Sequence, residues 1–340
     1  MGRYARRLQK IGSSVLISLP NEWVKNNNLQ KGNVVVLEVN RDNSISLFPS
    51  DVNSENIKEV SIPYSPTSMD SLVNQIYGAY LLGYNIIRIK GKSQISFSNR
   101  ELIKYAMQKL VGLEIVDEDG FNIVSQFLLD ANALDAEKIL RRMSSIIAGM
   151  HRDTLDGLRT KDSGIEKLIM SRDDEVDRQY FLLVRLIRSA MVDQKLASKL
   201  NLSNIDILDY RIAANHLESA GDYITDFASA LPNIFHTKLI ELVTEVGILV
   251  VKMQETSVAA FTSMNRSESV EVVKMYSRFN ELINSIKELS AKTAESKNSE
   301  STISLLNSIY SMDKVARCWI DIADLVKPVY RTMPLGMSRF

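Results

Sequence analysis

The chain has 340 residues, 45% of them hydrophobic and 24% charged, a composition typical of a globular protein with two or three domains. Its single cysteine excludes an intramolecular disulfide framework and a cysteine-based zinc site, and no apolar stretch reaches the roughly 20 residues of a membrane span. The net charge is zero, but residues 1–31 carry six basic side chains and one acid, so the remainder is net −5. This asymmetry predicts a basic module for an anionic partner, joined to an acidic body. Because the basic N-terminus lacks a signal-peptide pattern, we expect a cytoplasmic protein without membrane insertion.

The first 49 residues have a strand-rich pattern. An apolar run at 14–20 ends at Pro20, a short helix at 21–29 follows with Asn21 as its N-cap, and 31–48 predicts two strands around a turn. Because a segment of fewer than 50 residues buries little apolar surface, we expect this part to be stabilised by dimerisation or by the rest of the chain.

Residues 50–134 are predicted to form a small α/β connector. The segment 49–68 holds three of the seven prolines and marks a boundary. Beyond it the pattern predicts a helix, a strand, a second helix and a hairpin, at 69–84, 85–91, 98–111 and 113–129. The connector offers no nucleophile–base pair and no glycine-rich phosphate loop. Nowhere does the sequence combine metal-ligand candidates with an activated nucleophile or a general base, so we predict that the protein is not an enzyme and rank a metal-dependent enzyme as the last alternative.

Helix-period patterns dominate from about residue 134 onward. Six helices are predicted, near 135–159, 163–195, 204–230, 234–264, 267–295 and 301–327. Their short polar connections suit two tandem three-helix bundles, at 135–231 and 232–330, with a tail at 331–340.

An acidic pattern stands out in the first bundle. Glu218, Asp222 and Asp226 follow one another at a four-residue pitch, which stacks them along one helix face. Asp173 and Asp177 repeat that pitch one helix earlier, and antiparallel packing would bring the two motifs level. Like charges at this spacing destabilise an isolated helix by roughly 0.2–0.5 kcal/mol per pair. Oxygen ligands from neighbouring helices would suit Mg²⁺, Mn²⁺ or iron.

The alternative is an ordinary solvated face. In that case Arg172, Arg178 and Arg211 would serve as ion-pair partners of the carboxylates. On the spacing alone, the solvated face is the favoured interpretation.

The six helices show a repeat with an offset of 95 residues. Laying 216–228 over 311–323 keeps the apolar positions apolar, yet it places Arg317 opposite Asp222. The middle helix of the second bundle offers Asn280 and Asn284 in a looser alignment. Since a guanidinium repels cations, we predict one metal-competent bundle and one degenerate bundle.

The region 135–330 resembles the PhoU family, whose paired three-helix bundles carry a repeated E(D)xxxD motif. DDEVD (173–177) and ESAGD (218–222) fit that motif. The resemblance implies a surface metal cluster, of iron, zinc, manganese or magnesium. Its ligand candidates are Asp173, Asp177, Glu218 and Asp222, and Asp226 is peripheral.

The N-terminal segment 3–49 is similar to the AbrB/SpoVT swapped-hairpin domain. It has a basic start, KIGSS before a strand that ends in proline, a short helix, LQKGN and a hairpin. The resemblance implies that two chains interleave into one β-barrel and that its basic face binds DNA. The residues implied at that face are Arg3, Arg6, Arg7, Lys10, Ser13 and Ser14.

The combination is similar to archaeal phosphate-uptake regulators. It implies an α+β multidomain fold, with a swapped-hairpin β-barrel head, a small α/β connector and two tandem three-helix bundles. The expected function is a homodimeric, DNA-binding regulator of phosphate uptake with a sensory or docking body. The alternative is an adaptor that docks on a phosphate-transporter ATPase, in which the head serves only for dimerisation.

Overall fold

The computed structural model describes residues 4–39, 44–49, 57–162, 164–230, 237–293 and 299–326. The chain divides into two compact units, Met1–Ile57 and Lys58–Phe340. The division therefore falls inside the boundary segment at 49–68. The connector and both predicted bundles belong to one compact unit, whereas the sequence patterns predict them as separate domains. The tail at 331–340 lies outside the described residues.

The first unit consists of two small hairpins and one short helix. Its elements are β1 (Gln9–Ile11), β2 (Ser14–Leu16), α1 (Asn21–Asn26), β3 (Val35–Val39) and β4 (Ile45–Pro49). The tight β1–β2 turn uses Gly12 at φ 62°, which glycine adopts without strain. Pro20, rather than Asn21, occupies the N-cap position of α1, and no side chain caps the helix. Within one chain, the described residues of this first unit pair only as β1–β2 and β3–β4, and they form no closed barrel.

None of the described residues of this unit is buried. Its large apolar side chains remain open to solvent, with Leu8 72%, Val15 64% and Val39 74% exposed. A segment that exposes so much apolar surface lacks a core of its own within a single chain.

The second unit begins with a four-stranded sheet in the order β5-β6-β8-β7, with two helices packed on it. Its elements are β5 (Glu59–Tyr64), α2 (Met69–Leu81), β6 (Ile86–Gly91), α3 (Phe97–Gln108), β7 (Leu113–Glu118) and β8 (Asn122–Phe127). Strand β5 lies in the segment predicted as a boundary, where it pairs in parallel with β6. Pro63 is compatible with a strand there because β5 is an edge strand.

The rest of the described chain is helical. After a short 3₁₀ turn come α4 (Ala136–Thr160), α5 (Ile165–Val192), α6 (Gln194–Lys199), α7 (Asn204–Ala230), α8 (Thr237–Ser263), α9 (Arg266–Thr293) and α10 (Ser299–Asp324). The short helix α6 is not among the helices predicted from the sequence. It begins where the Asp193 carboxylate accepts hydrogen bonds from the backbone N–H groups of Lys195 and Leu196.

The long helices form two packed groups. Helices α4, α5 and α7 pack together, as do α8, α9 and α10, and the groups join through α7–α10 and α4–α8. Phe227, Phe261 and Trp319 are essentially fully buried in the continuous core. An α+β fold with a small β-rich head and a predominantly helical body is confirmed.

The connector is fastened to α5. Arg185 is 5% exposed, and its Nη1 donates to the Tyr80 carbonyl at 2.6 Å, close to the end of α2. Its guanidinium also lies 3.9 Å from the ring centroid of Phe127. A cation at the C-terminal end of a helix is favourable, so Arg185 holds α2 against the bundle.

Candidate metal centre and DNA-binding surface

The two acidic motifs lie on adjacent helices of the first bundle. Asp173 and Asp177 belong to α5, and Glu218 and Asp222 belong to α7. These helices pack against each other because both bury apolar faces, including Val176 on α5. Asp173, Asp177 and Glu218 are half-buried, whereas Asp222 is exposed.

None of these four carboxylates forms an ion pair within the part of the chain that the structure describes. The arginines proposed for a solvated face are engaged elsewhere. Arg172 pairs with Asp153, and Arg178 Nη1 lies 3.1 Å from Glu175 Oε2. Arg211 lies over the Tyr180 ring at 5.3 Å from its centroid. These three arginines therefore do not neutralise the acidic residues by direct pairing.

Asp173, Asp177, Glu218 and Asp222 are named here the acidic cluster. Their negative charges repel one another, which disfavours the ionised form of each carboxyl group. Burial, followed by repulsion from Asp222, Asp177 and Glu218, raises the pKa of Asp173 to about 7. The pKa of Asp177 and that of Glu218 are also raised, by burial first and by Asp222 next. The pKa of Asp222 is raised by partial loss of hydration and by repulsion from Asp226. A bound cation would stabilise such concentrated negative charge.

Gly221 shapes the cluster. A Cβ atom built on Gly221 would lie 2.8 Å from Asp173 Oδ1, closer than real Cβ atoms approach an oxygen. The glycine therefore lets the Asp173 carboxylate rest against the backbone of α7. This role was not predicted from the sequence, although a glycine inside a predicted helix, between two acidic residues, was a usable signal.

The donor set suits a hard cation, but the side chains do not converge. The cluster offers carboxylate oxygens only, which suits Mg²⁺ or Mn²⁺ better than soft metals. Within the described ranges, no three His, Cys, Asp or Glu side chains are arranged to hold a metal ion as they stand. Binding of a metal ion by these four residues would require rotation of their side chains.

The predicted DNA-binding residues occupy the first hairpin and the segment before it. Arg6, Arg7, Lys10, Ser13 and Ser14 are all exposed, and Arg3 lies outside the described residues. In the described portion of the chain, no ion pair involves Arg6, Arg7 or Lys10. Their positive charges are thus free to contact phosphates.

The hairpin register separates two of these candidates. Lys10 pairs with Val15, and Ser14 pairs with Ile11. Since directly opposed residues share a face and neighbours alternate, Lys10 and Ser14 lie on opposite faces of the hairpin. One flat surface of this hairpin does not present both.

Two family models match this chain. Residues 140–231 match the PhoU domain, and residues 8–54 match the antidote-toxin recognition domain of MazE, a bacterial antitoxin. The chain contains a PhoU-like domain. It also contains a MazE/AbrB-like domain, as the N-terminal motifs predict. The PhoU match spans α5 and α7 and therefore includes the whole acidic cluster.

Two solved structures of PhoU proteins are among those that match this chain. The crystal structure of PhoU from Pseudomonas aeruginosa matches with 18% identity and a TM-score of 0.49, covering 58% of this chain and 95% of that one. A phosphate transport system regulatory protein PhoU from Streptococcus pneumoniae matches with 15% identity and a TM-score of 0.49, over 56% and 91% of the two chains. No curated protein matches this chain. Among the described helices, none is both long and apolar enough to span a bilayer.

The second bundle, beyond the matched PhoU-like range, carries different chemistry at the corresponding place. Arg317 Nε donates to Asp313 Oδ2 at 2.8 Å, and the Tyr276 hydroxyl donates to Asp313 Oδ1 at 3.2 Å. The repeat alignment points to Asn280 and Asn284 on the middle helix, but it is Tyr276 that contacts Asp313. Here the carboxylate already has an internal cation, so Asp313 is not available as the free acid that a cation site needs.

Proposed function

We propose that this protein is a DNA-binding regulator of phosphate uptake that acts in the cytoplasm as a homodimer. The observation that carries the proposal is the presence, in one chain, of a MazE/AbrB-like head at 8–54 and a PhoU-like domain at 140–231. The exposed basic side chains of Arg6 and Arg7 support DNA contact, because phosphates supply most of the affinity of such surfaces.

Dimerisation through the head is supported by its exposed apolar surface. Leu8, Val15 and Val39 are each more than half exposed in one chain. A second head would cover such side chains and supply the missing core.

The body would contribute a cation-binding sensor. The acidic cluster has no ion-pair partners among the described residues, and its carboxylates raise one another's pKa. We assign Asp173, Asp177, Glu218 and Asp222 as the ligands of a divalent or trivalent cation. Its charge would offset the repulsion between α5 and α7.

DNA binding is tested by titrating the full-length protein against a mixed-sequence duplex at several salt concentrations. In the Arg6→Ala, Arg7→Ala double variant, the slope of log K against log salt should fall by about 0.9 for each phosphate that is no longer neutralised. The control is Lys138→Ala with Lys167→Ala, which removes equal charge from exposed positions of α4 and α5. Unchanged binding by the head variant would refute the proposed surface.

The role in phosphate uptake is tested by mapping the DNA that the protein occupies in cells at high and low phosphate. We expect enrichment at promoters of phosphate-transport genes, altered by phosphate supply. Occupancy elsewhere, with no response to phosphate, would contradict the regulatory role.

The cation site is tested by metal analysis of the purified protein. The wild type should retain metal, and the Glu218→Ala, Asp222→Ala variant should not. Asp313→Asn is the control, because Asp313 already pairs with Arg317 in the second bundle. Equal, near-zero metal in all three proteins would leave the cluster as a solvated acidic face.

A second candidate function is an adaptor on a phosphate-transporter ATPase. The exposed apolar side chains of Leu8, Val15 and Val39 favour it as well, because a head that serves only for dimerisation would also expose apolar surface in a single chain. Capture of the transporter ATPase by the wild type and by the Arg6→Ala, Arg7→Ala variant alike, without DNA occupancy, would support it.

A further inference from the structure

The basic start of the chain is tied to the short helix of the head. The hydroxyl of Tyr4, in the segment before β1, donates a hydrogen bond to the Glu22 carboxylate in the first turn of α1. The two residues are 18 positions apart, and both are exposed. A hydrogen bond to an ionised acceptor is stronger than one between neutral groups. The contact therefore holds the segment that carries Arg6 and Arg7 against α1.

The side chain of Arg6 depends in turn on Tyr4. Its guanidinium carbon lies 5.7 Å from the centroid of the Tyr4 ring, and its Nη1 donates to the Ala5 carbonyl at 3.2 Å. A guanidinium over an aromatic face is attracted by the electrons of the ring. The position of the Tyr4 ring thus influences the direction in which Arg6 extends.

The partner of Glu22 leaves the positive charges of the segment free. Glu22 is the only acid among residues 1–31, which carry six basic side chains. A carboxylate in such a segment could pair with an arginine, but within the described ranges Arg6 and Arg7 form no ion pair. Because Glu22 binds a neutral phenol instead, it anchors the segment without neutralising the charges that would meet phosphates.

We propose that Tyr4 is a positioning residue of the DNA-binding surface, which acts through Glu22 to order Arg6 and Arg7 before DNA arrives. The inference rests on the proposed DNA-binding function. Ordering long side chains in advance lowers the entropic cost of binding. Tyr4 then contributes to affinity without contacting DNA. The number of neutralised phosphates, and with it the salt dependence, does not depend on its hydroxyl.

Titration of the full-length protein against the mixed-sequence duplex at several salt concentrations tests this role. Tyr4→Phe keeps the ring and removes the hydroxyl. It should weaken binding by roughly 2- to 10-fold, the effect of one lost hydrogen bond. The slope of log K against log salt should equal that of the wild type. Tyr310→Phe on α10 is the matched control, with 61% exposure against 47% for Tyr4, and it should bind as the wild type does.

Two neutral variants of Glu22 separate the anchor from its charge. Glu22→Gln keeps a hydrogen-bond acceptor, whereas Glu22→Ala does not, and both remove the same negative charge. Glu22→Ala should therefore bind roughly 2- to 10-fold more weakly than Glu22→Gln. Adding Tyr4→Phe should weaken Glu22→Gln but leave Glu22→Ala unchanged, because the hydroxyl has no acceptor there. A hydroxyl that touched DNA directly would be missed in both backgrounds.

The outcomes distinguish this inference from the DNA-binding function. If Arg6→Ala with Arg7→Ala leaves binding intact, the surface fails and the role of Tyr4 fails with it. If that variant binds weakly while Tyr4→Phe binds as the wild type does, the inference is overturned and the surface stands. The inference is also overturned if Tyr4→Phe lowers the salt slope, or if its effect is equal in the two Glu22 backgrounds.

Discussion

The carboxylate of Asp173 lies against the backbone of α7 at Gly221, where an added Cβ atom would come within 2.8 Å of its Oδ1. One ligand candidate therefore depends on the absence of a side chain on the neighbouring helix. This close approach joins α5 to α7 at the level of Glu218 and Asp222.

Gly221→Ala should weaken Mn²⁺ binding by about tenfold, an effect typical of displacing a group that orients a ligand. The added methyl group forces the Asp173 carboxylate away from α7. Gly78→Ala on α2 is the control, since no heavy atom lies within 4 Å of its Cβ position. Calorimetry should show unchanged Mn²⁺ affinity for the control, and equal affinities for all three proteins would contradict the prediction.

Asp173→Asn should raise the thermal stability of the metal-free protein near pH 8, by roughly 2–4 °C for each kcal/mol of repulsion removed. The folded pKa of Asp173, about 7, lies above the ordinary aspartate value of 3.8. The folded state therefore binds the proton of Asp173 more tightly than the unfolded state does. The stabilisation that this proton gives the folded state is present at low pH and disappears as the pH rises through 7. Melting curves in chelator at pH 5 and pH 8 should show the gain mainly at pH 8. If Asp173→Asn were less stable than the wild type at pH 8, the prediction would be wrong.

His151→Leu should make the fold less sensitive to acid. His151 is fully buried in α4, neither ring nitrogen has a hydrogen-bond partner among the described residues, and burial lowers the pKa of the ring to about 4. Since the unfolded pKa is about 6.5, the unfolded chain binds a proton that the folded chain does not, and stability falls from pH 6.5 towards pH 4. That decrease is on the order of 3 kcal/mol and should be absent in the variant.

Denaturant unfolding at several pH values measures the effect of His151. The two proteins should differ by a constant amount above pH 6.5 and by an amount that changes steadily below it. Parallel stability curves over the whole range would show that His151 does not contribute to acid sensitivity.

Val15→Asp should convert a dimer to a monomer, because it places a charge among the exposed apolar side chains of the head. Ile248→Asp on α8 is the matched control, with 62% exposure against 64% for Val15. Sedimentation analysis should give a monomer for the head variant alone. A dimer that survives Val15→Asp would place the interface elsewhere.

Much of the helical architecture follows from local sequence. The apolar periodicity predicts the long helices of the body, including α4 at Ala136–Thr160 and α7 at Asn204–Ala230, to within a few residues. The four-residue pitch predicts that Glu218 and Asp222 share a helix face, because that relation depends only on the turn of one helix.

Other features required the complete fold. Strand β5 lies in a proline-containing segment that suggests a boundary, and only its parallel pairing with β6 makes it a strand. The short helix α6 falls largely in the segment that separates the second and third predicted helices, and its Leu196 and Ala197 are buried in the core. Tertiary pairing can stabilise segments whose local propensity is weak.

The sequence by itself determined two regions that carry motifs. One is the helical region with the acidic stripes, and the other is the basic start of the chain. Both could be predicted because periodicity and composition are local properties. The tertiary structure alone decided which groups surround those stripes. Lys109 meets Asp174 across 65 residues, and Tyr276 meets Asp313 across 37 residues. Such contacts leave no periodic trace in the sequence, since they arise only when helices and sheet pack around a common core.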